Sequence, residues 1–286
     1  MRRKLVLALF SVIAILAIAV SPVAAITGNW EKDYEHPFVG LIVFYDENGE
    51  FAGRCSGSLL DPYNFLTAGH CVVGVETARV YFQQDAGTHY DPATELDPVT
   101  GYPEYCATGT LGVTCATSDE IYNYGFPQPL PNRHDVALVV LDQPIYLSEY
   151  GELPEAGFLD QFATARGVQN VVFTASGYGL TYKQEEHNGK PNESYRERLM
   201  ATSTLVNLRS AFNSGFNVQT SGNGAGKGGT CNGDSGGPIF YGDTDSNLIV
   251  AVTSFGLNEL CRGTDFSYRI DQEDVLNWLA AHMYTP

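Results

Sequence analysis

The chain has 286 residues, 44% of them hydrophobic, with 30 glycines and 14 prolines. That composition suits a globular, turn-rich protein with a sizeable core and excludes an intrinsically disordered chain. The formal charge is −17, and so acidic a surface repels nucleic acid and anionic membranes, which excludes polyanionic partners.

The chain opens with a basic head, Met1-Arg2-Arg3-Lys4, followed by an apolar run from Leu5 to Val20 and small residues at Ser21–Ala25. This is the pattern of a secretory signal peptide over residues 1–25 with cleavage after Ala25, and the run is short for a membrane span. Without those residues the charge is −20, from 13 basic and 33 acidic side chains. No later run approaches spanning length, so the product is expected outside the cell, off the membrane, as a monomer. All six cysteines (Cys55, Cys71, Cys106, Cys115, Cys231 and Cys261) lie beyond the leader. An even count in an exported chain predicts three disulfides, although the count does not give the pairing. There is no CxxC or HExxH, and neither a metal nor a cofactor is called for.

After Ile26-Thr27-Gly28, strand-like runs at Gly40–Tyr45 and Phe51–Leu60 flank Asp46-Glu47-Asn48-Gly49-Glu50, which predicts a hairpin with a solvated tip. Phe65-Leu66-Thr67-Ala68 reads as a strand that runs into Gly69-His70-Cys71, and Arg79–Gln83 as another short strand. Residues 85–134, rich in Asp, Pro, Gly and Tyr, read as a long surface excursion with Cys106 and Cys115 stapled locally. Asp135–Leu141 is a buried-looking strand. Further strands are expected at Asn170–Ala175, Met200–Leu208, Pro238–Tyr241, Leu248–Phe255 and Asp265–Ile270, with a turn at Asp243–Asn247. The polar segment 182–198 reads as an exposed loop and carries a glycosylation sequon at Asn192. Asp271–Ala280 is the one clear helix, with Asp271 as its cap and Val275, Leu276 and Leu279 on one face. His36, His89, His134 and His187 sit in loop-like sequence and are expected at the surface. Many short strands with one terminal helix predict an all-β sandwich or barrel.

The stretch that carries chemistry is Gly229-Thr230-Cys231-Asn232-Gly233-Asp234-Ser235-Gly236-Gly237-Pro238. A serine becomes a nucleophile only with a base to take its proton and donors to hold the oxyanion. Gly233–Gly237 also fits the G-x-S-x-G elbow of α/β-hydrolases, but that fold places its histidine after the serine. Only His282 follows here, at the chain end, and no βαβ alternation exists. The remaining candidates run in the order His70, Asp135, Ser235.

Thr67-Ala68-Gly69-His70-Cys71, His134-Asp135-Val136-Ala137-Leu138 and Gly233–Pro238 together resemble the three signatures of the chymotrypsin-like (trypsin-fold) serine proteases, in that family's order. The resemblance covers the chain from Ile26 to the terminal helix. It implies two six-stranded Greek-key β-barrels, roughly residues 26–150 and 151–286, packed together with a C-terminal α-helix. It also implies a secreted endopeptidase that hydrolyses protein or peptide substrates through an acyl-enzyme. His70 would be the base, Asp135 its orienting partner and Ser235 the nucleophile, with the N–H groups of Gly233 and Ser235 as the oxyanion hole. Disulfides Cys55–Cys71 and Cys231–Cys261 are implied, leaving Cys106 and Cys115 to each other. Asp234 would bind the ammonium of Ile26 once the leader is removed. The substrate pocket would involve Gly229, Thr230, Ser254, Phe255, Gly256 and Asp265. Glycine at Gly229 and Gly256 implies an open, uncharged slot for an apolar side chain, unless Asp265 points inward and favours Lys or Arg. The alternative from another class is a catalytically inactive binding protein on the same scaffold.

Overall fold

The computed structural model describes residues 26–86, 108–109, 112–113, 115–163, 170–182, 196–257 and 261–286. The leader over residues 1–25, Cys106, His89, His187 and the Asn192 sequon lie outside the described residues.

Two barrel-like sheets dominate the described residues, beside a small three-stranded and a two-stranded sheet. The first is built around Val39–Tyr45, whose run of β-branched and aromatic side chains is buried along six of its seven residues. It pairs with Phe51–Leu59 across the turn that Asn48-Gly49 predicts, and the Asp46 carboxylate closes that turn by accepting the N–H groups of Asn48 and Glu50. The sheet order runs 120–123, 137–140, 64–67, 51–59, 39–45, 77–81, 115–118, a nearly closed barrel. The excursion expected at 85–134 is therefore shorter than its composition suggests. Cys115–Ser118 and Glu120–Asn123 are the two end strands of the sheet, pairing with Thr77–Tyr81 and Ala137–Val140.

The second sheet closes on itself. Val172–Gly177, Pro238–Tyr241, Ile249–Gly256, Thr264–Arg269, Asn217–Ser221 and Leu199–Asn207 pair in that order, and the last strand returns to the first. One core cluster, with Phe173, Val218, Ile239 and Val250, fills this barrel. The other spans the first barrel and the seam, where Phe38, Tyr178, Phe240 and Tyr268 meet. Among the described residues no helix is long and apolar enough to cross a membrane.

Polar groups cross the seam where the hydrophobic pattern alone would not place them. Arg198, 4% exposed, donates to the backbone carbonyls of Asp33, Val39 and Phe82 and to the Tyr178 hydroxyl. His36, expected at the surface, is fully buried. Its Nδ1 bonds the Asp33 carboxylate at 2.9 Å and its ring stacks on Phe240 at 4.3 Å. Burial opposes the charge on Asp33, yet the His36 and Ser176 hydrogen bonds and the nearby Arg198 outweigh it and hold the carboxyl below its ordinary range.

The helix, α1, spans Glu273–His282 and buries Val275 and Leu279. Asp271 does not cap it: the cap position is Gln272, without a side-chain bond. The Asp271 carboxylate is instead spent on the Leu159 N–H and on Arg269 at 2.7 Å, because the guanidinium is the stronger partner for a buried carboxylate.

Replacing Arg198 with Met keeps the side-chain bulk but leaves three buried carbonyls without donors. The expected loss is about 3–5 kcal/mol of stability, read from the urea midpoint. A loss under about 0.5 kcal/mol would contradict the role given to Arg198.

Candidate active site

Strand register brings the first two site residues together. Ala137 pairs with Thr67, so Asp135, just before one strand, and His70, just after the other, emerge side by side. His70 is the second residue of the 3-10 turn Gly69–Val72, and the Cys55–Cys71 disulfide fastens that turn to the neighbouring strand. Asp135 accepts the His70 backbone N–H at 2.7 Å and the ring Nδ1 at 2.9 Å. Its Oδ2 also accepts the hydroxyl of Ser254, from the second barrel. Burial opposes the charge on this carboxylate, which is 1% exposed. The hydrogen bonds from His70 and Ser254 more than offset that and hold it below the ordinary carboxylate range. With Nδ1 donating to Asp135, the neutral ring carries its lone pair on Nε2.

Ser235 reaches the same place from the second barrel. Its carbonyl accepts the Ser56 N–H at 2.8 Å, beside Cys55. Gly236 follows in the left-handed region at φ +77°, where a Cβ would stand 2.6 Å from Ser56 O and collide with Thr67 Oγ1. Only glycine lets this loop dock against the strand that leads to His70. Among the described residues the side-chain hydrogen bonds of His70 go to Asp135, and none reaches Ser235. Around Ser235, the N–H groups of Cys231, Asp234, Gly236 and Gly237 are taken by Asp234 Oδ2, Cys231 O, Thr253 O and Asp234 O. Those of Gly233 and Ser235 have no acceptor among the described residues.

Asp234 is buried behind the loop, where it accepts the N–H groups of Gly179 and Cys231 at 2.8 Å each. Burial pushes its carboxyl up to about 7 in spite of those bonds, and nearby Asp265 adds to the rise. Ile26, fully buried, pairs with Thr181 two residues from Gly179, while Thr27 pairs with Gly229.

Beside Ser235 opens a cavity of about 220 Å³, lined by Thr230, Cys231, Asn232, Thr253–Leu257, Cys261, Arg262, Thr264 and Asp265. The Cys231–Cys261 disulfide braces it. Asp265 is among the residues that line this cavity, so a carboxylate stands at the wall of the slot that the glycines imply to be uncharged. Gly229 backs the carboxylate: a Cβ there would stand 2.5 Å from Asp265 Oδ2. That oxygen accepts the Thr230 N–H at 2.9 Å, and burial pushes the carboxyl up to about 6. Phe255 and Gly256 pair with Phe266 and Asp265, with Ser254 at a bulge in that ladder, and on the other side the partner strand ends at Pro238 opposite Val252. An extended peptide can pair with that open edge.

Sequence reading had no signal for two neighbours of the site. Phe126 presents to the His70 ring at 6.0 Å, and the Arg133 guanidinium stands 4.9 Å from the Phe126 ring centre. Cys115 is disulfide-bonded, and Cys106, its expected partner, lies outside the described residues. Among the described residues, the His, Cys and carboxylate groups close enough to share a metal are Cys55, His70 and Cys71. Both of those sulfurs are held in a disulfide, which removes the thiolates a metal would need.

The Trypsin family model matches residues 26–279. The chain belongs to the trypsin family of serine proteases. Among relatives, it is 28% identical over 225 residues to a CLIP domain-containing serine protease B10 of Anopheles gambiae, covering 75% of this chain and 58% of that one. It is 27% identical to Serine protease 7 of Drosophila melanogaster, covering 80% and 57%. It is 29% identical to brachyurin of Leptuca pugilator, covering 72% and 77%. The match thus spans little more than half the length of the first two relatives. The fold matches a structure titled HL collagenase, with a TM-score of 0.60 and 19% identity, over 90% of this chain and 99% of the other. Human heparin binding protein matches at 0.59 and 20%, over 88% and 94%.

Ser254→Ala removes one hydrogen bond to a buried carboxylate, so about 1.5–3 kcal/mol of stability should be lost near neutral pH. A depressed carboxyl contributes stability above its unfolded value of roughly 3.9 that disappears as pH falls through the folded one. The variant should therefore unfold in acid at higher pH than the native chain and differ less from it at pH 2, read by circular dichroism. An identical acid midpoint would contradict the hydrogen bond's contribution.

Proposed function

We propose that this chain is a secreted serine endopeptidase in which Ser235, His70 and Asp135 act as one unit. The observation that carries the reading is the buried Asp135 carboxylate bonded to His70 Nδ1, with the Ser235 loop docked beside it. His70 Nε2 takes the Ser235 proton as Oγ adds to the scissile carbonyl. Asp135 stabilises the imidazolium that forms without itself taking a proton. The oxyanion accepts the free N–H groups of Gly233 and Ser235. His70 then returns its proton to the leaving amine, and water admitted to the same position hydrolyses the acyl-enzyme. Two disulfides and the leader pattern suit an exported protein.

The Asp265 carboxylate in the pocket supports a preference for Lys or Arg before the scissile bond. An entering cation offsets the desolvation cost that raises the buried Asp265 carboxyl. The empty pocket holds its proton below about pH 6 and is anionic above it, so discrimination sharpens as pH rises. Purified protein should cleave peptides after Arg or Lys in preference to Phe or Leu, with a ratio that grows between pH 5 and 8. Asp265→Asn should lower that ratio by about 10². Ser235→Ala should abolish cleavage, and retention of full activity would sink the proposal.

Asp234 supports activation by exposure of the Ile26 ammonium. Its proton is held more tightly in the fold than in the unfolded chain, so ionisation costs stability from the ordinary carboxylate range up to about pH 7. A cation delivered two residues from Gly179 removes that cost and fixes the loop carrying Gly233. A chain beginning at Ile26 should be about 10²–10³ times more active than one beginning at Ala25. Equal activities would show that Asp234 is held another way.

A further inference from the structure

The substrate-facing side of the cleft carries a cation that the mechanism does not use. Arg133 precedes His134-Asp135 and is half-buried. Its guanidinium lies between two aromatic rings, 4.9 Å from the centre of Phe126 and 5.7 Å from that of Phe255. Phe126 meets the His70 ring, and Phe255 lines the pocket and stacks on Phe266 at 4.7 Å. Arg133 thus stands between the base and the open strand edge along which a peptide would lie.

Its charge is unspent. Among the described residues no carboxylate pairs with it and its side chain donates no hydrogen bond, in a chain with 33 acidic against 16 basic residues. The other buried guanidiniums behave differently: Arg198 is used on carbonyls, and Arg269 on Asp160 and Asp271. The nearest carboxylate in sequence, Asp135, is committed to His70 and Ser254. The rings hold the guanidinium plane while its N–H edge keeps the fork geometry that matches a carboxylate. Its neighbours are fixed as well, Asn132 accepting the Tyr268 hydroxyl at 2.5 Å and His134 lying against Tyr124 at 4.8 Å. Little order remains to be gained when an anion arrives.

We propose that Arg133 reads an acidic residue of the substrate, Asp or Glu, within the three positions that precede the residue in the pocket. The proposal rests on the protease reading above. It makes the preferred sequence one of opposite charges, an acid followed closely by the base that meets Asp265.

The test is a peptide set with Arg before the scissile bond and Glu, Gln or Lys at each of the three preceding positions, assayed for kcat/KM. At one position Glu should exceed Lys by about 10-fold at low salt, with the margin shrinking in 0.5 M NaCl. Arg133→Gln should bring that ratio to about 1, Arg133→Lys should keep its direction, and Arg133→Glu should invert it. If Arg133 only braces Phe126 and Phe255, its variants will slow every peptide by one common factor and leave the ratio untouched, which overturns the proposal. Binding of the same labelled peptides to the Ser235→Ala chain, by fluorescence anisotropy, separates this from failure of the protease reading. Tighter binding of the Glu peptide supports the proposal even without turnover; equal binding, or none, overturns it.

Discussion

One buried carboxylate ties the two halves of this molecule into a single site. Asp135 is supplied by the first barrel and accepts two hydrogen bonds from His70 in that barrel and one from Ser254 in the second. Burying an ion costs several kcal/mol unless its lone pairs are satisfied, so the barrels must meet in one relative position for the charge to be tolerated. That position is the one that brings the Ser235 loop against Ser56 and Thr67. The same bonds that hold Asp135 thus fix where His70 and the Ser235 loop stand relative to each other.

Two other buried acids contrast with it. Asp234, behind the serine loop, and Asp265, at the pocket wall, accept backbone N–H groups and pair with no cation among the described residues, and burial raises their carboxyls to about 7 and about 6. Pairs of carboxyls driven apart by environment commonly separate roles in a site. On the function proposed above, the satisfied one would orient a base, and the other two would receive an ammonium from the chain and a cation from the substrate.

Much of this was legible in the sequence, and the misses have physical causes. The Val39–Leu59 hairpin followed from Asn48-Gly49 between apolar runs, and Pro238–Tyr241 from its composition. His70, Asp135 and Ser235 stood out because their local sequences are specific. Cys115–Ser118 and Glu120–Asn123 were hidden because end strands need little apolar pattern when backbone pairing on one side holds them. His36 looked like loop because its burial depends on Asp33 and on Phe240, some 200 residues away in sequence. Asp271 satisfied the local rule for a cap, but a tertiary partner, Arg269, won its carboxylate. The direction of Asp265 was undecidable because alternation along a strand says which residues share a face, not which face is the pocket. Arg133 and Phe126 sat in a polar stretch with no periodicity, and only the fold brings them to His70.

The most direct test of the account is chemical. The chain beginning at Ile26 should be treated with a serine-directed sulfonyl fluoride, and the site of attachment mapped by mass spectrometry for the native protein and for His70→Ala. Activation by His70 predicts a single adduct, on Ser235, that the variant forms at least 10²-fold more slowly. An unmodified Ser235, or equal labelling of the two proteins, would contradict it.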